Sequence, residues 1–111
     1  MEVKSSTPQE FLEKEAPARF KPENVKGIDV VAQLNLSGPT GGSWIITIKD
    51  QRLNIAEGTH ASPTLTLKMI DSDFMDVVSK KLSAEKAFFT GKVQFKGTLA
   101  VALKLKDAGF L

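Results

Sequence analysis

The chain has no cysteine. That excludes a disulfide framework and any thiolate metal site. Histidine is nearly absent too: His60 is alone, inside the loop-forming run Glu57-Gly58-Thr59-His60-Ala61-Ser62-Pro63. A lone loop histidine has no second ligand or acid–base partner beside it and reads as an exposed residue. No apolar run approaches the ~20 residues that a membrane-spanning helix needs. The first residues, Met1 to Ser6, are polar and mixed in charge, unlike a secretory leader. The last four, Ala108-Gly109-Phe110-Leu111, are not a Ser-Lys-Leu type peroxisomal address. The expected compartment is therefore the cytoplasm. An excess of one charge is also missing. Fifteen Lys and Arg stand against 13 Asp and Glu, for a net +2, and no basic stripe interleaved with aromatics is visible, so no nucleic-acid partner is expected. There are no internal repeats and no low-complexity tracts.

What is present is ordinary globular composition in 111 residues, enough for one domain with its own core. The expected organisation is a flexible tail over residues 1–6 and a single domain over 7–111. Thr7-Pro8-Gln9-Glu10 is a helix start: Thr7 can cap, Pro8 suits the first helical position, and Glu10 completes a capping box. Pro17 predicts an end to that helix near Glu15 or Ala16. A second helical piece is expected from Lys21-Pro22-Glu23 to Gly27. Ile28 to Leu36 alternates as a strand, with Val31 interrupting its polar face, so that face should be partly covered. After the turn cluster Ser37 to Gly42, Trp44 to Lys49 is a strand with Trp44, Ile46 and Ile48 on one side. Asp50-Gln51 turns the chain into a strand over Arg52 to Ala56, and Thr64 to Met69 is a fourth. Asp71-Ser72-Asp73 opens a helix, with Asp71 as the expected cap. Phe74, Val77, Val78 and Leu82 form its apolar face.

The stretch Ala87 to Leu105 is the most informative. Gly91 and Gly97 bracket a short alternating run, Lys92-Val93-Gln94-Phe95-Lys96, and read as a helix stop and a strand stop. The Ala/Val/Leu/Lys segment that follows fits either period, and its helix-forming composition favours a helix.

No catalytic set emerges. Asp71, Asp73 and Asp76 share one helix, but capping explains the first two without acid–base chemistry. The Gly91–Gly97 run has neither Walker A nor dinucleotide spacing. What remains is apolar surplus in the C-terminal half. Periodicity alone cannot distinguish a filled core from a hollow one.

The run Ala87-Phe88-Phe89-Thr90-Gly91-Lys92-Val93-Gln94-Phe95-Lys96-Gly97, followed by an Ala/Leu-rich tail, resembles the C-terminal signature of the sterol carrier protein 2 (SCP-2) family. The run Ala16 to Glu23, with its Pro, Arg-Phe and Pro-Glu, and the loop Glu57 to Pro63 are similar to the same family in order and spacing. The resemblance spans roughly Pro17 to Leu105. It departs at Gln51, where the family more often has Gly, and at Ile70, where it usually has a small polar residue. It implies an α+β fold: a five-stranded mixed sheet with helices over one face, enclosing an apolar tunnel. It implies a non-enzymatic, cofactor-free domain that binds and transfers fatty acid, fatty acyl-CoA, sterol or phospholipid. The expected tunnel residues are Leu34, Trp44 and Ile46 from the sheet, then Phe74, Val77, Val78 and Leu82. The C-terminal stretch should add Phe88, Phe89, Phe95, Leu99, Ala100, Leu103 and Phe110. The last helix with Phe110-Leu111 would be a movable lid.

From Lys80 to Lys106 seven lysines face one acid, Glu85, a local +6. This is either a solvated face or a surface that docks on anionic membrane. The alternative to a lipid carrier is an interaction or oligomerising accessory domain of a lipid-metabolising system, with a filled core.

Overall fold

The computed structural model describes residues 6–108, the side chain of Leu99 excepted. The expected strands form one five-stranded sheet in the order β3-β2-β1-β4-β5. The strands are β1 (Val30–Ser37), β2 (Gly42–Lys49), β3 (Arg52–Glu57), β4 (Leu65–Ile70) and β5 (Gln94–Lys96). The β1–β2, β2–β3 and β4–β5 pairs are antiparallel, and β1–β4 is parallel, so the sheet is mixed as the resemblance implied. The helices are α1 (Pro8–Glu10), α2 (Ala16–Arg19), α3 (Asp71–Val78), α4 (Ala84–Phe89) and α5 (Leu99–Asp107). Among the described residues no helix is long and apolar enough to cross a membrane.

Alternation decides the inner face. Val30, Ala32 and Leu34 of β1 stand directly opposite Ile48, Ile46 and Trp44 of β2, and all six side chains are buried. Phe11, Leu12, Phe74, Val78 and Leu105 cover them from the helical side. The Phe11 and Phe74 rings meet edge to face with centroids 5.8 Å apart, the arrangement that aligns a positive ring edge with a negative face.

The first helix does not stop before Pro17. Phe11–Glu15 forms a π turn that carries the chain from α1 into α2. The amide of Ala16 donates to the carbonyl of Phe11, five residues back. Pro17 therefore falls in the first turn of α2, where an amide hydrogen would have no intrahelical partner. Arg19 closes the segment: its Nη1 donates to the Val78 carbonyl at 3.0 Å, and its guanidinium lies 5.4 Å from the Phe11 ring centroid.

The polar face of β1 is covered, as Val31 suggested, by the crossover from β3 to β4. Gln33 is buried on that face. Its Nε2 donates to the Gly58 carbonyl at 3.0 Å, and its Oε1 accepts from the His60 amide at 2.7 Å. His60 Nδ1 accepts from the Ser62 amide at 3.0 Å. The lone histidine thus shapes a loop. At the β2–β3 turn, Asp50 and Gln51 have φ of 53° and 59°, the pair of positive angles that a type I′ hairpin turn requires.

Asp71 is not the helix cap. Ile70 holds that position, and Asp71 is the first helical residue. Its carboxylate reaches instead across to the β1–β2 connection. There Oδ2 accepts from the Thr40 hydroxyl at 2.6 Å and the Thr40 amide at 2.9 Å. Gly38 lies so close that a Cβ there would run into this carboxylate, and its φ of +103° already favours glycine.

These bonds, the Thr40 hydroxyl foremost, hold the Asp71 carboxyl below its ordinary value, against the opposing effect of burial. A folded value below the unfolded one, about 3.9, means stabilisation that is complete above that pH and lost as pH falls through the folded value. Asp71→Asn should therefore be less stable than wild type at pH 7, with the gap closing below about pH 4. Urea midpoints from pH 7 down to 2 check this. A gap that stays constant over the range would mean the tie does not depend on the charge.

Candidate functional site

The helices do not seal the sheet completely. An apolar cavity of about 250 Å³ opens between the inner sheet face and α3, α4 and α5. The strand pairing sets its floor. Leu34 of β1 lies beside Leu67 of the parallel β4, and Leu67 faces Phe95 of β5. All three line the cavity, with Ile46 and Met69.

Each helix supplies a wall. Phe74 and Val77 come from α3, and Leu105 closes the inner side from α5. α4 is capped by the Ser83 hydroxyl, which accepts from the Lys86 amide at 3.1 Å. It ends at Gly91, whose φ is +78°. This short helix presents Phe88 and Phe89 to the cavity. The Phe88 ring rests against Phe95 with centroids 5.0 Å apart, whereas Phe89 is 83 % exposed and projects at the mouth. Thr98 caps α5 by accepting from the Val101 amide at 3.3 Å. The far end of α5 is fastened: the Lys21 amide donates to the Ala108 carbonyl at 2.8 Å, and Asn24 Nδ2 to the Asp107 carbonyl at 3.0 Å. A lid motion of α5 would have to pivot about that end.

Of the residues expected at the site, Leu34, Ile46, Phe74, Val77, Phe88, Phe89, Phe95 and Leu103 are brought together around the cavity. Trp44, Val78, Leu82 and Ala100 are not among its lining. Trp44 and Val78 are buried in the solid part of the core beside it. Leu82 lies partly buried after α3, where the chain turns toward α4. Ala100 is exposed, because at about 3.6 residues per turn the inner face of α5 falls to Ala102, Leu103, Leu105 and Lys106. The Leu99 side chain and Phe110 lie outside the described residues.

The sequence reasoning missed Leu67, Met69, Ala84, Val93, Ala102 and Leu105. Leu67 and Met69 alternate as strand residues in the sequence, but only the parallel β1–β4 register shows where they point. It also missed the two charged residues in the wall, Glu85 and Lys106, which pair with each other.

The acids of α3 have structural partners. Asp71 binds Thr40, and Asp73 lies 3.7 Å from Lys92 across the approach to β5. Among the described residues no three His, Asp or Glu side chains are grouped to hold a metal. An apolar cavity with a greasy mouth can take up a hydrophobic molecule by burial alone.

Comparison with known proteins agrees with this geometry. A family model described as the SCP-2 sterol transfer family matches residues 9–108. Hydroxysteroid dehydrogenase-like protein 2 of Bos taurus is 36 % identical over 83 residues, which are 74 % of this chain and 20 % of that protein. The chain thus spans about a fifth of the length of the curated relatives it matches. The crystal structure of sterol carrier protein 2 like 2 from Aedes aegypti superposes with a TM-score of 0.72 at 26 % identity, covering 87 % of this chain and 92 % of that one. The solution structure of the same mosquito protein in palmitated form gives a TM-score of 0.66 at 27 % identity, covering 86 % and 88 %.

Proposed function

Because the chain belongs to the SCP-2 sterol transfer family, we propose that it binds and carries hydrophobic ligands without catalysis, with the α3–α4–α5 cavity as the binding site. The candidate ligands are fatty acid, fatty acyl-CoA, sterol and phospholipid. The observation that supports this reading most is the cavity itself: it continues the core of the sheet, and among the described residues its wall is hydrocarbon apart from the single Glu85–Lys106 pair. A palmitated relative of similar fold supports it further.

The energetics suit a carrier. Each buried methylene contributes about 0.8 kcal/mol, so a long acyl chain offers on the order of 10 kcal/mol. Association and ordering return several kcal/mol, leaving binding near the micromolar range. A bilayer offers the same chain a comparable apolar home, so exchange between protein and membrane is nearly balanced. The projecting Phe89 and the lysines from Lys80 to Lys106 form the surface we assign to docking on anionic lipid during that exchange.

The share of each relative that the chain covers favours a second reading, in which such a domain serves the catalytic part of a larger lipid-metabolising protein. That reading uses the same cavity.

The test is native mass spectrometry of the purified protein, followed by titration with a fluorescent fatty acid and by transfer of that probe between vesicles. The expected results are saturable binding near micromolar, displacement by natural fatty acids, and transfer that is faster to anionic acceptor vesicles at low salt. A bare mass with no binding of acyl chains, acyl-CoA or sterols would overturn the proposal.

A further inference from the structure

Among the described residues the cavity wall carries charge at one place only. Glu85 of α4 and Lys106 of α5 both line the cavity and form an ion pair that bridges the two helices. Their side chains are 52 % and 37 % exposed, so the pair stands at the rim. Phe89 and Leu103, 83 % and 49 % exposed, stand there with it. The opposite end is closed by Leu34, Ile46 and Phe74, all fully buried. A site with charge at its rim and hydrocarbon at its base matches a ligand built the same way, a chain with a polar head.

The sign of the head follows from the surroundings. Lys80, just past α3, has its charged form disfavoured first by burial and then by Arg19, Lys106 and Lys21. Arg19, Lys106 and Lys21 are thus close enough to Lys80 to act on its charge, and of the four only Lys106 lines the cavity. Among the described residues of the cavity wall the one carboxylate is Glu85, and it pairs with Lys106. It is a surface side chain that can turn to water at little cost.

Size narrows the tail. A cavity of about 150 Å³ is enough to hold a benzene ring. The 250 Å³ available here falls below the ~300–1,000 Å³ of usual small-molecule sites. A single flexible chain can thread such a space and leave its head at the rim, whereas a fused tetracyclic ring must widen it.

We propose that Lys106 is the head-group site, that Glu85 occupies it in the absence of ligand, and that the ligand is a single-chain amphiphile with an anionic head. This rests on the lipid-binding reading above, whose candidates already include anionic single-chain lipids, and adds the residue that selects them and the carboxylate that competes for it. Carboxylate and phosphate heads share the required chemistry, and the two probes below separate them.

Dodecanoate, monododecyl phosphate and 1-dodecanol are titrated by calorimetry into the whole chain at pH 8 and low salt. The same titrations are run on Lys106→Met and Glu85→Gln. Wild type should bind at least one of the two anions about tenfold or more tighter than the alcohol. Lys106→Met should bring that ratio to within about threefold, through loss of anion affinity. Glu85→Gln should raise anion affinity severalfold, because the internal competitor is gone. A ratio that survives in Lys106→Met overturns the assignment of the head group and leaves the carrier reading standing. If wild type binds none of the three probes, the single-chain head-group proposal falls, and the sterol and acyl-CoA titrations above decide the carrier reading separately. Circular dichroism of each variant separates lost binding from lost fold.

Discussion

Ala102→Phe is expected to weaken ligand binding severely while making the protein more stable. Ala102 lines the cavity from α5 and is partly buried against the core. A phenyl ring needs a void of about 150 Å³, more than half of the 250 Å³ available. The new ring would thus sit in existing space and would not force neighbours apart, which is the usual reason that enlarging a core residue destabilises. Filling a cavity in this way commonly adds about 0.5–2 kcal/mol. Binding should fall by on the order of 100-fold, since the tail loses most of its place and about 0.8 kcal/mol for each methylene left in water. The fluorescent fatty acid titration reads the first effect, and the urea midpoint reads the second. A variant that is destabilised and still binds would show that the cavity is not where the ligand goes.

Phe74→Ala should have the largest effect on folding. The ring is 1 % exposed, meets Phe11 edge to face, and is both a core residue and a cavity wall. Removing a buried phenyl typically costs about 3–5 kcal/mol, because the lost transfer energy is joined by a void that neighbours fill only in part. A void already lies beside this position, so the surroundings gain little by collapsing. Against a total stability of roughly 5–15 kcal/mol, that loss would bring the protein near its threshold at physiological temperature. Chemical denaturation with wild type as reference measures it. A loss below about 1 kcal/mol would mean that α3 does not hold the sheet as described.

Much of this architecture can be read from short-range chemistry. The alternation of Val30, Ala32, Leu34 and Leu36 defines β1, the glycines at 91 and 97 end α4 and β5, and Thr7 caps α1 through the Glu10 amide. Each of these signals concerns residues within a few positions of one another. What escaped depends on distant partners. The π turn that admits Pro17 is a matter of how one carbonyl is shared. Gln33 looks like an outward polar residue until the loop carrying His60 folds over it. Leu67 and Met69 enter the cavity wall through pairing with a strand some thirty residues earlier, and no local period encodes that register. Glu85 and Lys106 lie on different helices, so their ion pair has no signature in either segment. The hollow space is the clearest case. A residue beside a void has the same hydrophobic pattern as one in a solid core, and only the summed volumes of remote side chains distinguish them.

Trp44 is the sole tryptophan in a chain that also lacks tyrosine. It is buried, and its indole nitrogen has no hydrogen-bond partner among the described residues. It faces Leu34 across the β1–β2 ladder, and Leu34 lines the cavity. The ultraviolet emission of the protein therefore comes from one ring, one side chain away from the site. Its colour will shift to the red when water reaches the core, and its intensity will respond when a tail settles against Leu34. The chain thus carries a built-in lamp for following occupancy and unfolding in the same cuvette, without attaching a dye to either lipid or protein.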